Sequence, residues 1–206
     1  KAFGAEIIYS PGEQGSNGSI TRAKEVASGN DAYVMLYQYG NSANPEAHYS
    51  TTGPEIIRDL PEISHFVAGL GTGGTLMGTG KRLKEFNPNI QVVAAAPEID
   101  DRIQGLRSLE EGFIPPILDL SRLDSRIMIG GEESFFMTAE LLRREGVFAG
   151  VSSGAVLAAA LRVAGRIDHG NIVCLFADGG WKYLSTGLWD RDYSEIKDVV
   201  EGKVWW

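Results

Sequence analysis

The residues Gly69-Leu70-Gly71-Thr72-Gly73-Gly74-Thr75 hold the densest chemical potential in this chain of 206 residues. Four glycines let backbone amides approach an anion closely, and a helix starting behind them adds unpaired N–H groups and a favourable dipole. The hydroxyls of Thr72 and Thr75 bring two more donors to the same place. A terminal phosphate monoester, with several oxygens to satisfy, suits such a cup. A rival reading uses the same residues. Gly69-x-Gly71-x-x-Gly74 matches the dinucleotide fingerprint, and Glu98 stands roughly where a ribose-binding acid should follow. A glycine-rich turn without a ligand is the third reading. The loop alone leaves all three open.

Other reactive side chains invite plainer readings. His48, His65 and His169 are scattered, with no carboxylate or cysteine at ligand spacing, so no metal site is expected. Cys174 sits in the apolar run Ile172-Val173-Cys174-Leu175-Phe176 and reads as a small buried hydrophobe. As the one cysteine, it excludes an internal disulfide or a multi-cysteine zinc site. Arg143 and Arg144, with Glu140 and Glu145, read as the solvated face of a helix. Ser152 lies where it could cap the helix that follows. The balance of 19 Lys+Arg against 27 Asp+Glu, a net charge of −8, argues against non-specific nucleic-acid binding. The longest apolar stretch, residues 155–161, is far short of the ~20 residues a membrane span needs. Residues 1–6 show no charged region leading into an apolar run. A cytoplasmic, reducing compartment is the expectation.

Short apolar runs alternating with amphipathic stretches must position these residues, which is an α/β pattern with a mostly parallel sheet flanked by helices. Strands are expected at residues 4–9, 33–37, 65–70, 90–96, 126–129 and 172–177. Helices are expected at 19–27, at 45–60, from the glycine loop through Phe86, and at 132–145 and 154–166. Residues 109–123, with Pro115-Pro116 and little periodicity, read as an irregular loop. The chain opens inside a strand-like segment, so a preceding N-terminal portion is expected.

Three further segments carry a resemblance. They are Gln38-Tyr39-Gly40-Asn41-Ser42-Ala43-Asn44 with Thr51-Thr52-Gly53-Pro54-Glu55, then Gly150-Val151-Ser152-Ser153-Gly154-Ala155, then Asp178-Gly179-Gly180-Trp181-Lys182-Tyr183-Leu184-Ser185-Thr186-Gly187. With the glycine loop between the first and second, the order and content resemble the pyridoxal-phosphate-dependent cysteine synthases. These are β-replacement enzymes of fold type II, with the tryptophan synthase β-like fold. The likeness is strongest to the cysteine synthase B branch, which includes O-phosphoserine sulfhydrylases. Two departures stand out: Ser42 where the family usually has proline, and Ala96-Pro97 where Glu-Pro is common.

The resemblance implies a division into residues 1–33, the tail of a small mobile domain, and 34–206, most of a large cofactor-binding domain. It implies that Gly71, Thr72, Gly73, Gly74 and Thr75 hold the phosphate of pyridoxal 5′-phosphate and that Ser152 faces its pyridine nitrogen. Gln38 would help hold the substrate carboxylate. Arg107 would fork onto the phosphate of O-phosphoserine, a contact that an acetyl ester does not require. The Schiff-base lysine is expected upstream of residue 1, because Lys1, Lys24, Lys81, Lys84, Lys182, Lys197 and Lys203 sit in none of the required contexts. The implied partners are an activated serine and a sulfur donor: free sulfide, thiosulfate or a thiocarboxylated carrier protein. A homodimer is implied as well. The tail at residues 201–206, ending in Trp205-Trp206, has two readings: a lid over the active-site mouth, or packing on the domain surface or in the dimer interface. Alternatives are a cystathionine β-synthase or serine/threonine dehydratase of the same fold, or a non-catalytic scaffold subunit.

Overall fold

The computed structural model describes residues 3–201. Four parallel strands form one sheet: β1 (Ile63–Gly69), β2 (Gln91–Pro97), β3 (Ser125–Ile129) and β4 (Asn171–Cys174), in the order β3-β2-β1-β4. The helices are α1 (Gly15–Ser28), α2 (Ala43–Ser50), α3 (Thr52–Asp59), α4 (Gly74–Phe86), α5 (Gly131–Glu145), α6 (Val151–Ala164) and α7 (Tyr193–Glu201). β1 is central and pairs Val67 with Val93 on one side and with Cys174 on the other.

The central strands are apolar on both faces because helices cover both faces of a parallel sheet. Val67, Val93, Ala95 and Ile127 pack with Phe135 of α5 and with the alanine-rich face of α6. Their neighbours in sequence, Phe66, Ala68, Val92 and Ala94, point to the opposite face and pack with Leu76, Met77 and Leu83 of α4.

The α2–α4 packing brings the site together. A Cβ on Gly74 would overlap the Asn44 amide, and one on Gly78 would overlap the Pro45 carbonyl oxygen. Glycine at both positions, one turn apart on α4, is what lets the α2 backbone settle so close.

Several expectations from the sequence need correction. Residues 4–9 and 33–37 are not strands. Their β-prone composition is real, but neither segment pairs with the sheet, and a strand exists only where its backbone groups find a partner. The helix expected over 45–60 is two helices, broken at Thr51 (φ −121°, ψ −71°). Pro54 explains the break. Its missing N–H is tolerated as the third residue of α3 but would interrupt a continuous helix. α6 starts at Val151, three residues earlier than expected, and the fourth strand ends at Cys174 rather than Ala177. Residues 109–123 are irregular as expected, carrying only the short 3-10 turns Leu109–Glu111 and Leu120–Arg122. Among the described residues no helix is long and apolar enough to cross a membrane. The proposed lid at 201–206 lies, apart from the backbone of Glu201, outside the described residues, as does Lys1.

Candidate functional site

The glycine loop leaves the carboxyl end of β1 and enters α4. Leu70 N–H still bonds the Ala95 carbonyl oxygen at 2.8 Å, so the chain stays in line with the sheet for one residue past the strand. Arg107 N–H donates to the Leu70 carbonyl at 2.8 Å and lays the turn around Gly105 along the loop. A Cβ on Gly71 would stand 2.9 Å from the Gly105 carbonyl oxygen, so this close approach requires glycine. Gly73 caps α4 at φ 90°, in the left-handed region that side chains disfavour. The result is a turn of backbone at the amino end of a 13-residue helix with no acidic residue in its first turn.

The two threonines are held from α2. Thr72 Oγ1 accepts from Asn44 Nδ2 at 3.0 Å and from Gly74 N–H at 3.2 Å. Asn44 Nδ2 also donates to the Gln38 carbonyl at 2.8 Å. Thr75 Oγ1 lies 3.2 Å from His48 Nε2, and His48 Nδ1 lies 3.0 Å from Thr52 Oγ1. Burial lowers the His48 pKa below its ordinary 6.5, so the ring is neutral at pH 7. A hydroxyl has one proton and two lone pairs. With Thr72 accepting twice, its proton is what remains for a ligand. Such an arrangement suits an anion with several oxygens.

Ser152, buried at the amino end of α6, lies beside the same Gly105 turn, where a Cβ on Gly105 (φ +85°) would stand 3.4 Å from Ser152 Oγ. Gly71, Gly105 and Ser152 are therefore near neighbours across three separate segments. Gly150 N–H donates to the Asp178 carbonyl at 2.9 Å, and Tyr183 Oη donates to Asp178 Oδ2 at 2.9 Å. The second and third motif segments thus pack together. Burial, then Asp178, drives the Tyr183 pKa far above its ordinary value, so that phenol stays protonated.

Gln38 has an exposed side chain, and its backbone oxygen is tied through Asn44 to Thr72. Arg107 is not a surface arginine. It is 4% exposed, its guanidinium lies against the edge-to-face pair of Tyr39 and Phe113, 5.0 and 4.8 Å from their ring centres, and Nη1 donates to Asn17 Oδ1 of α1 at 2.9 Å. Glu98 is exposed and turns toward Gly130 after β3, away from the loop after β1, which removes the acid that a dinucleotide reading needs. Four lysines have other engagements. Lys24 lies over Tyr37, Lys81 over Tyr49, Lys84 pairs with Asp124 and Lys182 with Asp178. Cys174 is half-buried, and desolvation pushes its thiol pKa up to about 11, which disfavours the thiolate.

Asn44, His48, Thr52 and Gly105 have no assigned role in the sequence reading. Two signals were available: Asn44 and Thr52 lie in the segments that carry the resemblance, and the four-residue spacing of Asn44 and His48 places both on one helix face.

Comparison with known proteins gives the chain a family. A sequence profile described as "Pyridoxal-phosphate dependent enzyme" matches residues 1–178. The chain is 42% identical over 200 residues to a cysteine synthase of Aquifex aeolicus, covering 93% of this chain and 61% of that protein. It is 42% identical over 201 residues to a probable cysteine synthase of Bacillus subtilis, covering 92% of this chain and 65% of that one. A crystal structure of an O-acetylserine-dependent cystathionine beta-synthase from Helicobacter pylori superposes with a TM-score of 0.83 at 36% identity, over 91% of this chain and 64% of that one. The chain therefore spans less than two thirds of the length of each.

Proposed function

Given that the chain belongs to the pyridoxal-phosphate dependent enzyme family, we propose that the loop at residues 71–75 is its cofactor-phosphate cup and that the complete protein is a cysteine synthase. The observation that carries this is the set of groups turned toward a ligand. Glycine-cleared backbone, a helix amino end and two hydroxyls held from behind offer protons to an anion, with no carboxylate in the first turn to repel it. The residues present fit a phosphate monoester, and the Gly105 turn joins that cup to Ser152.

When bound, pyridoxal phosphate supplies the electron sink that makes the substrate Cα–H acidic and lets the β-substituent depart. The protein's own groups choose how that capacity is used. Ser152 would meet the pyridine nitrogen with a neutral hydroxyl, so no fixed negative charge holds a proton there. That favours prompt loss of the β-substituent over other reactions of the same carbon. Gln38 is the proposed partner of the substrate carboxylate. Arg107, held against the Tyr39–Phe113 pair, is the proposed fork for the phosphate of O-phosphoserine. The covalent lysine is proposed to come from the part of the protein outside this chain, consistent with the other engagements of Lys24, Lys81, Lys84 and Lys182. A small domain ending near residue 33, a homodimer and a cytoplasmic setting belong to the same reading.

The test is cysteine formation by the full-length protein from O-phosphoserine or O-acetylserine with sulfide. Turnover of either, lost when pyridoxal phosphate is removed, supports the reading. Keto-acid and ammonia release from serine or threonine without sulfur addition would make it a dehydratase instead. Preference for a large thiol such as homocysteine would make it a cystathionine synthase.

A further inference from the structure

α2 reaches the loop twice from behind, with Asn44 on Thr72 and, one turn later, His48 on Thr75. We propose that His48 is a positioning residue, held as its Nε2–H tautomer by the Thr52 hydroxyl so that Thr75 turns its own proton toward the bound phosphate. This rests on the reading of residues 71–75 as the phosphate cup.

The proton count fixes each direction. Ionised phosphate oxygens only accept, so Thr75 must give its single proton outward and face His48 with a lone pair. Nε2, 3.2 Å away, must then carry the hydrogen. A neutral imidazole has only one N–H, so Nδ1 is an acceptor, and Thr52 Oγ1 at 3.0 Å can donate to it. The chain runs one way: Thr52 O–H to Nδ1, Nε2–H to Thr75 Oγ1, Thr75 O–H to the phosphate. The opposite tautomer would draw the Thr75 proton onto the ring and turn an oxygen lone pair toward the anion. The ring's place is set by packing. A Cβ on Gly78 would stand 2.9 Å from the Cβ of His48, so α4 closes one side of the residue while the first turn of α3 supplies Thr52.

The experiment uses full-length protein. Nitrogen-15 shifts of the His48 ring report the tautomer, and titration with pyridoxal phosphate reports affinity, both independent of turnover. The ring is expected as Nε2–H in the wild type. Thr52→Val keeps the shape but loses the donor; it should mix the tautomers and weaken pyridoxal phosphate binding about 3–10-fold, the scale of one hydrogen bond. His48→Gln, whose amide can donate in place of Nε2, should stay within about 3-fold of wild type, while His48→Leu should lose about 10-fold. An Nδ1–H ring in the wild type overturns the inference by itself. If Thr75→Val weakens binding but Thr52→Val and His48→Leu do not, the inference fails and the cup stands. If Thr72→Val and Thr75→Val both bind normally, the cup reading fails and the inference falls with it. Should His48→Leu not fold, the tautomer and Thr52→Val decide.

Discussion

Arg107 shows how one side chain can be read two ways until its surroundings are known. The sequence reading makes it a phosphate ligand. The structure makes it a buried fork against the Tyr39–Phe113 pair that also holds Asn17. Both roles predict a cost for Arg107→Ala, so the discriminating quantity is a ratio. If the guanidinium meets the leaving phosphate, kcat/KM for O-phosphoserine should fall about 10–150-fold, the equivalent of ~1.5–3 kcal/mol for a charge-assisted bond. O-Acetylserine turnover should fall much less. Equal losses for both donors, measured at matched ionic strength, would make Arg107 purely structural. Gly71 is a simpler residue to test. Gly71→Ala places a methyl 2.9 Å from the Gly105 oxygen, and because both are backbone neither can swing away. Affinity for pyridoxal phosphate should drop, with a loss of stability of about 1–3 kcal/mol, as overpacking usually costs. Unchanged affinity and melting temperature would show that the two segments are free to part.

The α2–α4 pair makes a comparable prediction for an element. Gly78→Ala would overlap the Pro45 carbonyl oxygen, whereas Gly80→Ala on the same helix meets only Val92 side-chain atoms at 3.2 Å. The first should destabilise the protein by about 1–3 kcal/mol despite alanine's better helix propensity. It should also weaken cofactor binding, because Asn44 and His48 move with α2. The second should cost far less. Thermal melts and cofactor titrations of both variants check this, and similar losses in both would contradict it. Much of this level was legible in the chain itself. β2 was readable because a strand buried on both faces leaves a continuous apolar run, Val92-Val93-Ala94-Ala95-Ala96. The glycine loop was readable because its spacing is local. Residues 4–9 and 33–37 were misread because β-prone composition says nothing about whether a neighbouring strand is there. The relay Thr52–His48–Thr75 was out of reach for a related reason. Its Thr52–His48 step is local in sequence, but only the packing of α4 on α2 brings Thr75 within range of His48. Glu98 had suitable spacing for a ribose ligand but faces the wrong side of β2, and no pattern in the sequence records that.

For the molecule as a whole, pH offers a test with a definite sign. Burial lowers the pKa of both His48 and His65 below 6.5. The unfolded chain then binds their protons more tightly than the folded one. The stability tied to their neutral forms is full above pH 6.5 and is lost as pH falls through that value toward the folded pKa values. Urea midpoints should decline between pH 7.5 and 5.5, and replacing both histidines by glutamine should flatten that decline. An unaltered slope in the double variant would assign it elsewhere. A second whole-molecule expectation concerns this chain by itself. With less than two thirds of the length of its relatives and no lysine proposed for the covalent role, it should yield no cysteine from an activated serine. Measurable product would show that the remaining part is dispensable.

The segments at residues 4–9 and 33–37 have a consequence for amide exchange. Among the described residues no backbone bond ties either of them to the sheet, and Ile7, Ile8, Tyr9, Val34 and Leu36 face solvent. In deuterium oxide their amides should trade hydrogen almost as a free peptide does, while those of β1 and α6 wait for global opening. One chain would then display two clocks. Anything that lays a further strand along those segments should slow the fast clock and leave the slow one unchanged, so exchange at Ile7 and Val34 becomes a direct readout of such pairing.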